Sequence, residues 1–268
     1  MDFIEKLARI SKKNKSLLCV GLDPDPALMP KKISVYEFNK AIIDATADLV
    51  CAYKPNIAFY EAMGSEAVKA LHKTREYLSD NIPMIIDAKR GDIGNTAKAY
   101  ATSLFDRFGA DAITASPYLG YDSLEPFIER RDRGIFILCR TSNRGAADLQ
   151  SLLVVVGKEK KALYEVVAEK VNEWNTYGNL GLVVGATYPD ELKLIRTKYP
   201  QMPLLIPGIG EQGGELEQVV KYGVDKGRQR TVINSSRQIL YASKGKDFAA
   251  AAAKAAKELR DRINSYLV

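Results

Sequence analysis

The chain has 268 residues, 46% of them apolar, enough for one large domain with a substantial core and inconsistent with a disordered segment. Its formal net charge is +6, yet the 39 lysines and arginines are interspersed with 33 acids, which excludes the basic block of a nucleic-acid binder and leaves a solvated surface with some pull on a small anionic substrate. Without a run of about 18 apolar residues there is no candidate membrane span, and Cys19, Cys51 and Cys139, widely spaced and without a C-x-x-C pair, read as reduced, buried thiols of a cytoplasmic protein.

Met1 to Lys15 carries Phe3, Ile4, Leu7 and Ile10 at helical spacing, with Asp2 and Glu5 among them, which predicts a docking helix rather than a signal or transit peptide. Short apolar runs then alternate with longer amphipathic ones, and no Pro/Ser-rich linker divides them, the pattern of a single domain over 1–268. Strands are expected at Leu17–Gly21, Ala52–Lys54, Pro83–Ile86, Ala112–Ala115, Ile135–Cys139, Gly181–Val184, Leu204–Ile206 and Thr231–Ile233. Helices are expected at Val35–Leu49, Ser65–Leu78, Thr96–Phe108, Ser123–Arg131, Lys158–Trp174 and Asp190–Lys198, with an Ala-rich helix from about Lys246 to Tyr266 closing the chain. Eight such alternations predict a (β/α)₈ barrel of parallel strands. An open, doubly wound sheet is the alternative, but the G-x-G-x-x-G expected after its first strand is missing.

Active sites of such barrels lie at the carboxyl ends of the strands, and the polar residues here fall at those ends. Strand one runs into Gly21-Leu22-Asp23-Pro24-Asp25, strand two into Lys54-Pro55-Asn56 and strand five into Arg140-Thr141-Ser142-Asn143. Strand seven runs into Pro207-Gly208-Ile209-Gly210 and strand eight into Asn234-Ser235-Ser236-Arg237.

The third strand carries the most chemistry, because an apolar run breaks into Asp87, Lys89 and, beyond Gly91, Asp92. Residues two apart on a strand point the same way about 6.6 Å apart, so Asp87 and Lys89 are expected to project together, with Gly91 turning the chain so that Asp92 is thrown outwards. A lysine held between carboxylates stays protonated and can deliver a proton or stabilise a carbanion. A structural ion-pair cluster capping a strand is the alternative for a bare D-x-K-x-x-D. At strands seven and eight, Gly208 and Gly210 permit close backbone approach to an anion and Arg237 offers a bidentate fork, which predicts phosphate binding over an ordinary Gly-rich turn.

The run Asp87-x-Lys89-x-x-Asp92-Ile93-Gly94-x-Thr96, after Leu18-Cys19-Val20-Gly21-Leu22-Asp23 and Lys54, resembles the orotidine 5'-phosphate decarboxylases over nearly the whole chain. The extended Arg140 to Gly145 segment and the long connection before Leu180 resemble that family's longer-looped subgroup. The resemblance implies decarboxylation of orotidine 5'-monophosphate to uridine 5'-monophosphate, the last step of de novo pyrimidine synthesis, with no metal and no organic cofactor. It implies that Lys89 stabilises and protonates the C6 carbanion, that Asp87 faces the substrate carboxylate, and that Lys54 and Asp23 belong to the charged network that orients Lys89 and holds the ribose. It further implies a homodimer in which Asp92, joined by Thr96, reaches the neighbouring subunit's site. Gln212 and Arg237 match the phosphate grip, with backbone from Gly208 and Gly210. Ser142, with Thr141 beside it, is the candidate for reading the pyrimidine edge, and Asn56 either touches the ribose or caps its loop.

Three rival readings stay open. A related phosphate-binding barrel uses a similar D-x-K-x-x-D to hold Mg²⁺ and form an enediolate, but it resembles this chain only in part, and its further catalytic histidine has no well-placed match. A Schiff-base aldolase would use Lys54 or Lys89. A binder without turnover would need phosphate and base contacts but not the full lysine and aspartate set. His72, the sole histidine, lies in an amphipathic helical run and is set aside as a groove or surface residue, which also removes a Ser-His-Asp triad. Trp174 is read as a packed helix end.

Overall fold

The computed structural model describes residues 1–209 and 216–267. Eight strands, β1 (Leu18–Gly21), β2 (Ala52–Lys54), β3 (Ile85–Arg90), β4 (Ala112–Ala115), β5 (Gly134–Arg140), β8 (Leu180–Val184), β9 (Leu204–Ile206) and β10 (Thr231–Ser235), run parallel in the order β2-β1-β10-β9-β8-β5-β4-β3. Bridges at Tyr53–Met84 and Asn56–Asp87 bring β2 to β3 and close the ring. The strands are buried on both faces, as a parallel sheet covered by helices requires, and this is why they read as unbroken apolar runs rather than as alternations. The fold is the predicted (β/α)₈ barrel.

Helices α1 (Phe3–Asn14), α2 (Val35–Thr46), α3 (Ile57–Ala62), α4 (Ser65–Tyr77), α5 (Gly94–Ala101) and α6 (Tyr121–Ile128) occupy the first half of the chain. The second half holds α7 (Leu163–Trp174), α8 (Pro189–Lys198), α9 (Leu216–Gly223), α10 (Arg237–Leu240) and α11 (Phe248–Ser265). Helix α1 is started by a reciprocal cap between Asp2 and Glu5 and lies across the amino-terminal end of the barrel. There Phe3 meets Phe136 edge to face at 5.7 Å, and the buried Lys6 pairs with Asp111 at 2.6 Å. In α11, Phe248, Ala252, Ala256, Leu259 and Ile263 form one buried stripe. His72 sits on α4 with its ring stacked on Phe108, and Trp174 ends α7 with its ring 5.8 Å from that of Tyr121.

Three expectations are corrected. Residues 159–162, expected to open a helix, form strand β7 (Glu159–Ala162), antiparallel to β6 (Leu153–Val156), and α7 starts only at Leu163. Gly157, at φ +64°, supplies the first position of a two-residue hairpin turn. The third strand does not end at Ile86 but continues to Arg90. Its pairing with β4 shifts between Ile86 and Arg90, and Lys89 takes φ +46°. Gly91, expected to turn the chain, takes no positive φ; a Cβ there would stand 3.0 Å from the Ser116 carbonyl oxygen, so the glycine answers a close approach to the segment after β4.

Candidate active site

At the carboxyl end of β3, where its register against β4 shifts, Asp87 and Lys89 project together as expected. Lys89 Nζ donates to Asp87 Oδ1 at 2.6 Å. A non-glycine residue at positive φ is costly, of order 1–3 kcal/mol, and persists only where its surroundings hold it. Thr114 on β4 does so: its Oγ1 accepts from the Lys89 backbone N–H at 2.9 Å and donates to Asp87 Oδ1 at 2.8 Å. From β2, Lys54 Nζ donates to Asp87 Oδ2 at 3.1 Å across the seam that closes the barrel.

The electrostatics follow from this packing. Burial pushes the Asp87 carboxyl up, but the Lys54 and Lys89 ammonium groups and the bonds from Lys89 and Thr114 outweigh it and hold the acid well below the usual carboxylate range. Burial pushes Lys54 down, while the Asp87 and Asp23 carboxylates more than offset it and leave the ammonium above its ordinary value. Lys54 is 4% exposed, whereas the Lys89 side chain is 47% exposed, so the first is a fixed buried charge and the second faces the mouth of the barrel.

A cleft of two lobes opens over this network. One lobe, about 410 Å³, is lined by Lys54, Asp87, Lys89 and Thr114, by Thr141, Ser142, Asn143 and Gln150, and by apolar Leu138, Val183, Leu205 and Pro207. The other, about 400 Å³, is lined among others by Asp23, Gly208, Asn234, Ser235, Ser236, Arg237 and Tyr241. Ser142 and Pro207 belong to both. Each lobe falls within the usual size of a small-molecule site.

The second lobe is built around Asp23. Its Oδ2 accepts from Ser236 Oγ at 2.5 Å and its Oδ1 from the Asn56 N–H at 3.0 Å. Tyr241 OH donates to the Asp23 carbonyl at 2.8 Å and accepts from the Asp25 N–H at 2.7 Å, which straps the loop after β1 to the end of α10. Gly208 takes φ +97°, a conformation that favours glycine and turns the chain after β9 beside Arg237. Asn234 Oδ1 and Ser235 Oγ are buried in this wall without a partner among the described residues, so they are left for a ligand or water.

Not every predicted residue reaches the cleft. The Asn56 side chain accepts from the Ala58 N–H at 3.1 Å and so caps α3. Asp92 accepts from the neighbouring Ile93 N–H at 2.8 Å, and no hydrogen bond or ion pair among the described residues joins it to Lys54, Asp87 or Lys89. Thr96 is exposed on the first turns of α5. Gly210 and Gln212 lie outside the described residues. Thr114 and Gln150 are additions that the sequence did not single out. A threonine in Ala-Ile-Thr-Ala reads as a core strand residue, and a glutamine ten positions past a strand end carries no motif.

Comparisons with known proteins bear on the family of the chain. A profile of the orotidine 5'-phosphate decarboxylase / HUMPS family matches residues 16–255. Orotidine 5'-phosphate decarboxylase of Dehalococcoides mccartyi is 57% identical over 266 residues, covering 99% of this chain and 98% of the relative. The protein of the same name from Herpetosiphon aurantiacus is 51% identical, with 95% of each chain covered. Among solved structures, the OMP decarboxylase of Leishmania donovani superposes with a TM-score of 0.86 at 42% identity, covering 100% of this chain and 99% of that one. The chain belongs to the orotidine 5'-phosphate decarboxylase / HUMPS family.

Proposed function

We propose that the protein decarboxylates orotidine 5'-monophosphate to uridine 5'-monophosphate and CO₂, as a carbon–carbon lyase at the close of de novo UMP synthesis in the cytoplasm. The observation that carries the reading is the Lys54–Asp87–Lys89 network, set beside a second lobe lined by Gly208 and Arg237. Curated relatives at more than half identity bear the decarboxylase name, which favours this activity over the sugar-phosphate chemistry that shares the family.

In this reading the pyrimidine enters the lobe of Lys89 and the phosphate the lobe of Arg237, with Gly208 and, beyond the described residues, Gly210 and Gln212 completing the grip. The bond from C6 to the carboxylate breaks, CO₂ leaves, and the electron pair stays on C6 beside the Lys89 ammonium. That fixed charge stabilises the developing carbanion and then gives its proton to C6, after which solvent reprotonates the amine. Asp87 faces the substrate carboxylate and, with Thr114, aims Lys89; Lys54 keeps Asp87 ionised. Asp23 meets the ribose hydroxyls and Ser142 the pyrimidine edge. No cofactor takes part.

Asp92 and Thr96 act, in the same proposal, in the site of a second subunit of a homodimer. Their support is that neither is bonded to its own chain's network among the described residues, and that both lie beside Ile93, an apolar residue left 59% exposed, Asp92 before it and Thr96 one turn after.

The direct test is the absorbance change of orotidine 5'-monophosphate on mixing with purified protein in EDTA. Conversion to uridine 5'-monophosphate is expected. No conversion in EDTA, with activity on a sugar phosphate restored by Mg²⁺, would replace this reading by the enediolate one.

A further inference from the structure

The segment that follows β5 is held by a residue outside its own strand. Gln150 Oε1 accepts from the Thr141 N–H at 2.8 Å, and Gln150 Nε2 donates to Thr141 Oγ1 at 2.9 Å. Thr141 Oγ1 in turn donates to Asn143 Oδ1 at 2.7 Å. The hydroxyl's one proton is thereby committed, and the direction of the chain fixes the sense of both amides. Gln150 is itself fixed at the backbone: its N–H donates to the Ala146 carbonyl at 2.8 Å, and its carbonyl accepts from the Tyr164 N–H at 3.0 Å at the start of α7. The clamp stands in the wall of the lobe that holds Lys54, Asp87 and Lys89.

This arrangement divides the work of Thr141 and Ser142. The Thr141 N–H and hydroxyl are both spent on the clamp, whereas the Ser142 hydroxyl has no hydrogen-bond partner among the described residues and borders both lobes. We propose that Gln150 is a positioning residue for pyrimidine recognition: it locks Thr141 so that Ser142 and Asn143 are preset to read the base, and Thr141 is a relay rather than a reader. The inference rests on the orotidine reading of the site and adds to it the residue that sets base specificity. A preset polar wall loses no ordering entropy when the ligand arrives, so loosening it weakens binding of the base while leaving the phosphate grip alone.

The test compares uridine 5'-monophosphate with ribose 5-phosphate, which carries the sugar and phosphate but no base, by calorimetry on wild type and Gln150→Leu. A loss of about 10- to 100-fold in affinity for the nucleotide is expected, the range of one or two uncharged hydrogen bonds, with ribose 5-phosphate unchanged. Gln150→Glu retains an acceptor for the Thr141 N–H but reverses the hydroxyl and costs the bond to Asn143, so an intermediate loss is expected. Thr141→Val is expected to match Gln150→Leu, and the double variant to be no worse than either, because one linked unit is broken in each case. The relay also predicts a raised KM for orotidine 5'-monophosphate with kcat nearly unchanged, which general unfolding would not give.

Equal weakening of both ligands, full additivity in the double variant, or an unchanged preference for the nucleotide in Gln150→Leu and Gln150→Glu would overturn the role of Gln150. A wild type that binds the two ligands equally would instead refute the pyrimidine reading of the site. Should Gln150→Leu fail to fold, the Gln150→Glu and Thr141→Val variants carry the same comparison.

Discussion

Asp87 is the residue on which the site turns, since it receives Lys54 on one oxygen and both Lys89 and Thr114 on the other. Its pKa is depressed in the folded protein, so its contribution to stability is complete above the unfolded value of about 3.9 and is lost as pH falls through the lower folded value. Lys54 is raised, so its contribution is complete below about 10.4 and is lost only as pH rises through a folded value above that. Between these limits the network adds a constant increment. The urea midpoint of the wild type is therefore expected to fall more steeply below about pH 4 than that of Asp87→Asn, and parallel curves would contradict the assignment. The charges at Asp87 and Lys89 were legible in the sequence, because acids and bases at the end of an apolar run stand out. The left-handed backbone of Lys89 was not, since no local rule places a lysine there; tertiary support from Thr114 does.

At the scale of elements, the eight barrel strands were legible because burial on both faces leaves them as short apolar runs cut off by polar residues. The β6–β7 hairpin was not. Its second strand, Glu-Lys-Lys-Ala, is built of residues with weak strand preference and good helix preference, so by local preference it reads as the start of the helix that follows. The local signal for it is Gly157-Lys158 directly after a run of valines, a two-residue turn flanked by a β-branched stretch. The bulge in β3 is likewise a property of two strands, not one, and it depends on Thr114 of β4. Thr114→Val keeps the shape of the side chain and removes the hydroxyl, leaving the Lys89 N–H without its acceptor. We expect a loss of about 1–3 kcal/mol in stability and, from misplacement of Lys89, a fall in kcat on the order of 10²-fold. Denaturant titration and steady-state kinetics read the two effects, and a variant with wild-type kcat would show that Thr114 does not hold Lys89 in place.

The whole molecule brings residues from β1, β2, β3, β4, β5, β9 and β10 to one mouth, and a linear sequence could state that convergence only through the barrel it implies. It also leaves Asp92 and Thr96 out of the cleft of their own chain, which the proposed homodimer explains. Mixing Asp92→Ala with Lys89→Ala subunits should then regenerate one intact site per heterodimer, roughly a quarter of wild-type activity on random assortment, whereas no recovery would remove the shared site.

The central claim, that the ammonium of Lys89 performs the chemistry while other residues hold the nucleotide, is tested most directly by Lys89→Ala. Turnover of orotidine 5'-monophosphate is expected to fall by more than about 10⁴-fold, since electrostatic and general-acid contributions are lost together, while affinity for uridine 5'-monophosphate stays measurable. Near-normal turnover in that variant would contradict the account.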